Sequence, residues 1–300
     1  MIMDHRTSPQ MKELHIAPML NYSTREFRQL LRILSRRAVL WTEMVVDETI
    51  AHATNLEEHL GDEESTTSPF IHPVICQIGG NSPKLCGEAT SIVLQTYGYD
   101  ECNLNIDCPS ERVSGKREFG ASLMKKAQLA KEIVMEMQAN ANDDDNDNIV
   151  GGREVLDSDG VVNHISNRIS VKCRIGVDDL DDLEFAAQFI RTLQPVCRRF
   201  YLHARKCVLN GLMNARQNRT VPPLNYPRVY ELCRMFPQSE FYINGGIRTL
   251  EEARAIAYGM HHDDDNANTT ENDDADVSLC SSITNNGFVH RVPCQLCDIS

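Results

Sequence analysis

The chain has 300 residues, of which 41% are hydrophobic and 24% are charged, and its formal net charge is −13. This composition is that of a globular protein and excludes a wholly disordered chain. No apolar run approaches the ~18 residues that a transmembrane helix needs, and residues 1–18 lack the apolar stretch of a secretory signal, so we expect no membrane partner. The eleven cysteines are then expected to be reduced thiols in a cytoplasmic protein, with import into an organelle left open.

Short β-rich runs alternate along the chain with segments of helical periodicity. The predicted strands are Leu14–Met19, Val39–Val45, Pro73–Ile78, Glu101–Ile106, Ile169–Ile175, Phe200–His203, Phe241–Asn244 and, more weakly, Ala275–Cys280. The predicted helices are Thr24–Ser35, Pro83–Tyr97, Ser122–Met137, Leu183–Leu193, Tyr226–Met235 and Thr249–Tyr258. Apolar residues recur at helical spacing in the first helix, and Ser82 followed by Pro83 is typical of a helix start.

Two stretches rich in Asp and Asn interrupt this alternation, at about 139–165 and 261–275. Residues 139–160 and 261–276 together account for the whole net charge of −13, so the remainder of the chain is formally neutral. Such segments bury too little apolar surface to offset the entropy of ordering, and we therefore predict disordered insertions. A calcium site would need the spacing and the turn glycine of an EF-hand loop, which are missing here, and no metal site is predicted.

Strict alternation of strands and helices predicts a parallel α/β sheet. A doubly wound sheet and a (β/α)8 TIM barrel both fit, but no G-x-G-x-x-G motif follows the first strand, which weighs against a dinucleotide-binding sheet. The number of repeats and the length outside the insertions favour the barrel. We expect a tail at residues 1–13, a barrel at 14–280 with a doubtful eighth strand, and a divergent tail at 281–300.

Polar residues recur where the predicted strands end, which is where TIM barrels carry their active sites. These residues are Gln77, Asn105, Cys108, Lys172, Arg174, His203, Arg205 and Asn244. Cys108 follows a strand and precedes Pro109, so it is predicted to lie in an exposed turn, where a thiol can act as a general acid. Lys172 within an apolar strand needs an anion or an electron-rich ring as its partner.

Two consecutive glycines, Gly245 and Gly246, lie between a strand and a helix, where backbone amides can approach phosphate oxygens. Together with Cys108 and Lys172 they predict a pocket for a phosphorylated ring cofactor with a thiol opposite it. The pair Cys294 and Cys297 forms a lone C-x-x-C motif and is interpreted as incidental.

Several ordered motifs match one known family. They are A-P-M-L (17–20), T-E-M-V (42–45), Q-I-G-G (77–80), Y-D-E-C-N-L-N (99–105), C-P-S-E-R-V (108–113), F-G-A-S-L-M (119–124), V-K-C-R-I-G-V-D-D (171–179), H-A-R-K (203–206), P-P-L-N-Y-P-R-V-Y (222–230) and I-N-G-G-I (243–247). On these motifs the sequence resembles the tRNA-dihydrouridine synthases, most closely their DusA-type branch, from about residue 14 to 259.

The resemblance implies a flavin-binding TIM barrel that reduces a uridine in the D-loop of tRNA, with FMN as cofactor and NADPH as reductant. It implies that Cys108 protonates carbon 5 of the base from the face opposite the hydride that reaches carbon 6. Flavin contacts are expected from Pro18, Met19, Leu20, Gln77, Lys172, His203, Asn244, Gly245 and Gly246. Substrate contacts are expected from Asn105, Arg174, Arg205, Lys206 and Arg219. The expected partner is tRNA, with no obligate protein partner evident.

The sequence departs from the family at two places. Asp107 stands where the family usually has glycine, which would strain a turn that needs positive φ, and its carboxylate would raise the pKa of the neighbouring thiol. After residue 277 we find neither the G-R pair that binds the flavin phosphate nor the C-terminal helical domain that grips tRNA, and we expect weaker binding of both. Two alternatives remain open: a truncated or vestigial RNA-binding barrel without catalysis, and a flavin reductase acting on a small pyrimidine.

Overall fold

The computed structural model describes residues 13–61, 72–110, 113–114, 117–141, 153–156, 162–210, 214–258 and 294–296. Its strands are β1 Leu14–Ile16, β2 Leu40–Val46, β3 Val74–Gly79, β4 Glu101–Ile106, β5 Arg153–Leu156, β6 Val162–Ile165, β7 Ile169–Arg174, β8 Arg199–His203, β9 Glu240–Asn244 and β10 Cys294–Leu296. Its α-helices are α1 Arg25–Leu34, α2 Asp47–His52, α3 Glu57–Leu60, α4 Pro83–Ser91, α5 Ala127–Ala139, α6 Leu183–Leu193, α7 Gln217–Thr220, α8 Tyr226–Met235 and α9 Leu250–Tyr258. Among the described helices, none is both long and apolar enough to cross a membrane.

Eight of the described strands run in one direction and follow each other in chain order. The strands β2, β3, β4, β7, β8 and β9 form one parallel sheet in this order, and β1 pairs in parallel with β10. β1 also joins the sheet through a parallel bridge between His15 and Val39, just before β2. β10 lies beside β9 with Cα atoms within 8 Å, although no ladder joins them in the described residues. This is the strand order of the predicted TIM barrel. Within the described residues, the hydrogen-bonded ring is not closed between β9 and β10.

Side-chain caps mark the starts of α1, α4, α6 and α8. α1 begins after Thr24, whose side-chain oxygen accepts a hydrogen bond from the backbone N–H of Phe27 at 3.4 Å. α6 and α8 have the predicted bounds. The prediction of one helix over Ser122–Met137 is wrong, because Lys126 leaves the helical region with φ −124° and ψ 51°. A 3₁₀ segment at Gly120–Lys125 therefore precedes α5.

The eighth strand position is occupied by β10, which lies inside the tail predicted to diverge. Leu14 pairs with Cys294 and Ile16 pairs with Leu296, beyond the expected end of the barrel at residue 280. The predicted strand Ala275–Cys280 lies outside the described residues. The signal for β10 is the alternation of two apolar residues with Gln295, which fits a strand of period two.

Part of the first acidic insertion forms a β-hairpin. β5 and β6 pair antiparallel, from Arg153 opposite Ile165 to Leu156 opposite Val162. The prediction of disorder is wrong for these residues, because both arms contain aliphatic and β-branched residues that favour strands. The Asp-rich residues 142–152 and the second predicted insertion, 261–275, lie outside the described residues.

Aromatic rings pack against one another inside the barrel, around His15 of β1. The ring of Tyr201 lies 4.7 Å from that of Trp41 and 4.4 Å from that of Tyr242, and the ring of His15 lies 4.9 Å from that of Tyr242. All four side chains are buried. Close aromatic packing of this kind stabilises the barrel around these four residues.

Candidate active site at the C-terminal ends of the strands

Alternation of side chains along the strands directs polar groups into the barrel. In β4 the polar residues are Glu101, Asn103 and Asn105, and all three are buried. Because successive side chains of a strand point to opposite faces, these three lie above one another on the inner face. Asn105 is the register partner of Lys172 in β7. The interior of the barrel is therefore polar from the start of β4 to its end.

The polar side chains on the inner face form one continuous chain of hydrogen bonds. The Asn105 amide donates to Gln77 Oε1 at 2.8 Å, and the Gln77 amide donates to Asn103 Oδ1 at 2.9 Å. The Asn103 amide donates to Ser170 Oγ at 2.8 Å, and Ser170 in turn donates to Glu101. Because every buried donor in this series has an acceptor, the side chains are held in single orientations.

Asn105 fixes the turn that carries Cys108. Its Oδ1 accepts hydrogen bonds from the backbone N–H groups of Asp107, at 3.2 Å, and of Cys108, at 3.0 Å. The Cys108 carbonyl accepts from Ser114 Oγ at 2.7 Å and from the Ala121 N–H at 3.0 Å. The thiol is therefore positioned from both sides by its backbone. The side chain of Cys108 is half-buried, which corrects the prediction of an exposed turn.

Burial raises the pKa of the Cys108 thiol, and the neighbouring Asp107 carboxylate raises it further. Lys172 and Arg174 act in the opposite direction without reversing the shift. The predicted effect of Asp107 on the thiol is thus confirmed in its direction. A protonated thiol is suited to donate a proton and not to act as a nucleophile.

The carboxylate of Asp107 meets three basic side chains, which we call the basic cluster: Lys172, Arg174 and His203. Lys172 Nζ forms an ion pair with Oδ2, Arg174 Nε lies 2.6 Å from Oδ1, and His203 Nδ1 lies 3.4 Å from Oδ1. The three basic side chains are each 4% exposed or less, and Asp107 is 13% exposed. Register explains the convergence, because Arg174 is the partner of His203 across β7 and β8.

The charges in this group are set by burial and by each other. Burial disfavours the charged form of Asp107, but Lys172, Arg174 and His203 outweigh it and hold the pKa of the carboxyl well below its usual value. Burial, followed by the charge of Arg174, lowers the pKa of His203 to about 3. At neutral pH the group therefore contains an ionised Asp107 and a neutral His203 imidazole.

The turn at Asp107 does not need glycine. The described residues other than glycine with positive φ are Asn21, Glu118 and Asp178, so Asp107 adopts a conformation open to any residue. The strain considered for this turn is absent from the structure. Asp107 instead contributes an ion pair, which the sequence analysis did not anticipate.

Gly245 and Gly246 are required by their backbone and by their neighbours. Their φ values are +107° and +72°. A Cβ atom at Gly245 would lie 2.7 Å from His203 Cδ2, and one at Gly246 would lie 2.2 Å from Leu224 Cδ1. The preceding residue, Asn244, is the register partner of His203. The twin glycines thus place bare backbone beside the basic cluster, as a phosphate-binding segment requires.

The predicted flavin contacts in the N-terminal segment differ in exposure. Met19 is buried, and its backbone N–H donates to Ser23 Oγ at 2.9 Å. Pro18 is half-buried, and Leu20 is 73% exposed. The segment follows β1 directly, so it lies at the same end of the barrel as the basic cluster.

Two of the predicted substrate contacts are buried and bind backbone carbonyls in the segment between β8 and α8. Arg174 Nη1 donates to the Asn218 carbonyl at 2.8 Å, and Arg205 Nη1 donates to the Pro222 carbonyl. Both residues are 8% exposed or less. Lys206 and Arg219 are half-buried, and Lys206 Nζ lies 3.2 Å from Asp181 Oδ2. Arg174 and Arg205 therefore shape the loop after β8, while Lys206 and Arg219 lie closer to its surface.

Comparison with known proteins identifies the family. The family model of dihydrouridine synthase (Dus) matches residues 15–145 and 158–262. The chain belongs to the dihydrouridine synthase family. The unmatched residues between the two segments fall within the first acidic insertion.

Relatives within the dihydrouridine synthase family are identical to this chain at about two fifths of the aligned positions. The tRNA-dihydrouridine(20/20a) synthase of Escherichia coli O6:H1 is 41% identical over 242 residues, which cover 80% of this chain and 63% of that protein. The proteins of the same name from Pasteurella multocida and Vibrio cholerae are 40% and 39% identical, over 79% and 80% of this chain and 62% and 64% of theirs. The resemblance predicted from the motifs is confirmed, and the chain spans less than two thirds of the length of these relatives.

Sequence reasoning missed some residues that organise the site of this dihydrouridine synthase family member. Asn103, Ser170 and Glu101 belong to the hydrogen-bond chain, and the alternation E-C-N-L-N in β4 is the signal that could have found two of them. In the part of the chain that the structure describes, no group of three or more His, Cys, Asp or Glu residues is placed to hold a metal.

Proposed function

We propose that this protein reduces a uridine in the D-loop of tRNA to 5,6-dihydrouridine, with FMN as cofactor and NADPH as reductant. Family membership and the names of its relatives support the reaction type and the substrate. The observation that carries the proposal is the position of Cys108, a half-buried thiol in a turn fixed by Asn105 next to the basic cluster. We place the reaction in the cytoplasm, in keeping with a tRNA substrate.

The residues present fit a flavin. The basic cluster converges on the carboxylate of Asp107, which indicates that this place can hold an electron-rich or anionic group. We assign Gln77, Lys172 and His203 to the flavin ring, with Pro18, Met19 and Leu20 lining it. We assign Asn244, Gly245 and Gly246 to the phosphate, because a side chain at either glycine would collide with its neighbour. When bound, FMN would supply the hydride that reaches carbon 6 of the base.

The Cys108 thiol donates a proton to carbon 5 of the base in this proposal. The base must leave its stack to reach the end of the barrel, which costs a few kcal/mol. Asn105 lies directly below the Cys108 turn and is assigned to the substrate, with Lys206 and Arg219 facing the tRNA backbone. Arg174 and Arg205 are proposed to act on the substrate through the loop that they hold.

The acid role of Cys108 predicts a specific pH dependence. The thiol must be protonated to act, and burial holds its pKa above the ordinary value of 9.0. We expect the single-turnover rate of dihydrouridine formation to stay constant up to about pH 9 and to fall only at higher pH, as the thiol ionises. A rate that falls as the pH is lowered below about 8 in wild type, but not in Cys108→Ser, would indicate that the thiolate is the active form and would argue against this role.

Asn105→Ala tests the positioning of the thiol. Without the amide, the N–H groups of Asp107 and Cys108 lose their acceptor and Gln77 loses a donor, so we expect the single-turnover rate to fall about 10-fold. We also expect a loss of about 1–3 kcal/mol in the free energy of unfolding, measured with urea. Asn140→Ala is the matched control, because within the described residues that amide bonds near the end of α5, to the Glu136 carbonyl. A full rate in Asn105→Ala would exclude the positioning role.

The function is tested by incubating the purified full chain with FMN, NADPH and an unmodified tRNA transcript. Mass spectrometry of the digested nucleosides should detect dihydrouridine, and tRNA binding should weaken as salt rises. Reduction of free uridine at an equal rate without tRNA would favour the small-pyrimidine reductase. Bound flavin and tRNA with neither NADPH oxidation nor dihydrouridine would favour the vestigial RNA-binding barrel.

A further inference from the structure

Asp107 supplies the negative charge within the basic cluster. Its two carboxylate oxygens face different cations, Lys172 at Oδ2 and Arg174 at Oδ1. Because His203 is neutral, the ionised carboxylate leaves this group with one net positive charge instead of two. The carboxylate also lies in direct reach of His203, at 3.4 Å from Nδ1. Asp107 thus touches each of the basic side chains that a flavin ring would meet.

The Asp107 carboxylate is held in place by the contacts of its backbone and by burial of its side chain. The Asp107 N–H is bonded to Asn105 Oδ1, and its carbonyl lies 3.4 Å from Arg174 Nε. The side chain is 13% exposed, and Cys108 is the next residue in the chain. A buried carboxylate held by two cations competes with any second electron-rich group for the same donors.

We propose, on the basis of the function proposed above, that Asp107 is an internal anion that opposes the flavin: it weakens FMN binding and lowers the reduction potential of bound FMN. A ligand that approaches the basic cluster must share Lys172 and Arg174 with this carboxylate or displace it. Reduction adds electron density to the ring, and a neighbouring negative charge disfavours it. The same carboxylate therefore lowers both the affinity for FMN and the reduction potential of bound FMN.

Asp107→Asn is the primary test, because it removes the charge and keeps the shape and one acceptor. We expect FMN to bind about 10-fold more tightly, measured by quenching of flavin fluorescence. The reduction potential of the bound flavin should shift to more positive values, measured by equilibration with redox dyes. Asp107→Ala, which removes the carboxylate altogether, should shift both quantities in the same direction.

A third readout is the thermal stability of the apoprotein. Asp107→Asn leaves Lys172 and Arg174 as close buried cations, so we expect its Tm to fall and FMN to raise Tm by more than in wild type. The matched control is Asp100→Asn, which removes one negative charge just before the opposite end of β4, where Asp100 bonds the Val74 N–H. This control should leave the affinity for FMN and the potential unchanged.

The outcomes separate this inference from the proposed function. Tighter FMN binding and a more positive potential in Asp107→Asn, but not in Asp100→Asn, would support the inference. Equal affinity and potential in wild type and Asp107→Asn would overturn the inference and leave the proposed function intact. FMN binding to neither protein would overturn both.

Discussion

Replacing Cys108 with alanine is expected to lower the single-turnover rate of dihydrouridine formation by about 10²- to 10⁴-fold, the usual contribution of a positioned general acid. FMN binding should be unchanged, because the flavin is assigned to other side chains and, in the described residues, no hydrogen bond joins the thiol to Lys172, His203 or the twin glycines. The turn should also survive, since Asn105, Ser114 and Ala121 hold its backbone and not its side chain.

Cys233→Ala is the control for this experiment. Cys233 is a buried thiol of α8 on the outside of the barrel, so its loss tests the general effect of removing a cysteine. We expect this variant to keep the wild-type rate. Dihydrouridine formation at full rate in Cys108→Ala would remove Cys108 as the proton donor, whereas loss of FMN in that variant would indicate that the thiol serves the flavin site.

Glu101→Ala is expected to lower the free energy of unfolding by about 3 kcal/mol. Glu101 is buried at the start of β4 and accepts hydrogen bonds from Arg199, Ser170 and, at 3.2 Å, from Tyr201. Its removal leaves these donors without their acceptor beneath the aromatic packing of the barrel. Urea denaturation followed by fluorescence of the single tryptophan, Trp41, which packs on Tyr201, would measure the loss.

Glu240→Ala provides the matched comparison, because Glu240 also pairs with Arg199, at 3.0 Å, but is 55% exposed. An exposed pair contributes less than about 1 kcal/mol, so this variant should remain close to wild type in stability. An equal loss in the free energy of unfolding in the two variants would show that burial does not make the Glu101 ion pair more stabilising than the exposed pair.

The repeating elements of the fold could be read from the sequence because their signals are local. The bounds of β4, α6 and α8 were predicted without error, since apolar periodicity and flanking turns determine them. β10 was missed because a three-residue strand acquires its identity from pairing with β1, which is distant in sequence. The hairpin β5–β6 was missed because the acidic composition around it outweighed the short aliphatic runs.

The chemical residues of the site were easier to predict than their partners. Cys108 and His203 were singled out because they follow or end strands, and Lys172 because it lies within an apolar strand. The structure places Lys172 and His203 together around Asp107. The role of Asp107 as an ion partner could not be predicted, because it depends on the register that places Arg174 beside His203. The burial of Arg205 was not foreseen, because it depends on the path of the loop that brings the Pro222 carbonyl to its guanidinium.

In the proposed reaction, the Cys108 thiol protonates carbon 5 of a tRNA uridine from the face opposite the flavin. The most direct test is the relative orientation of the two hydrogens added when pre-reduced protein, equilibrated in D₂O, acts on tRNA. Proton coupling in the NMR spectrum of the isolated dihydrouridine reports this orientation. We expect the deuterons at carbons 5 and 6 to lie on opposite faces of the ring. Addition of both deuterons to one face would contradict it.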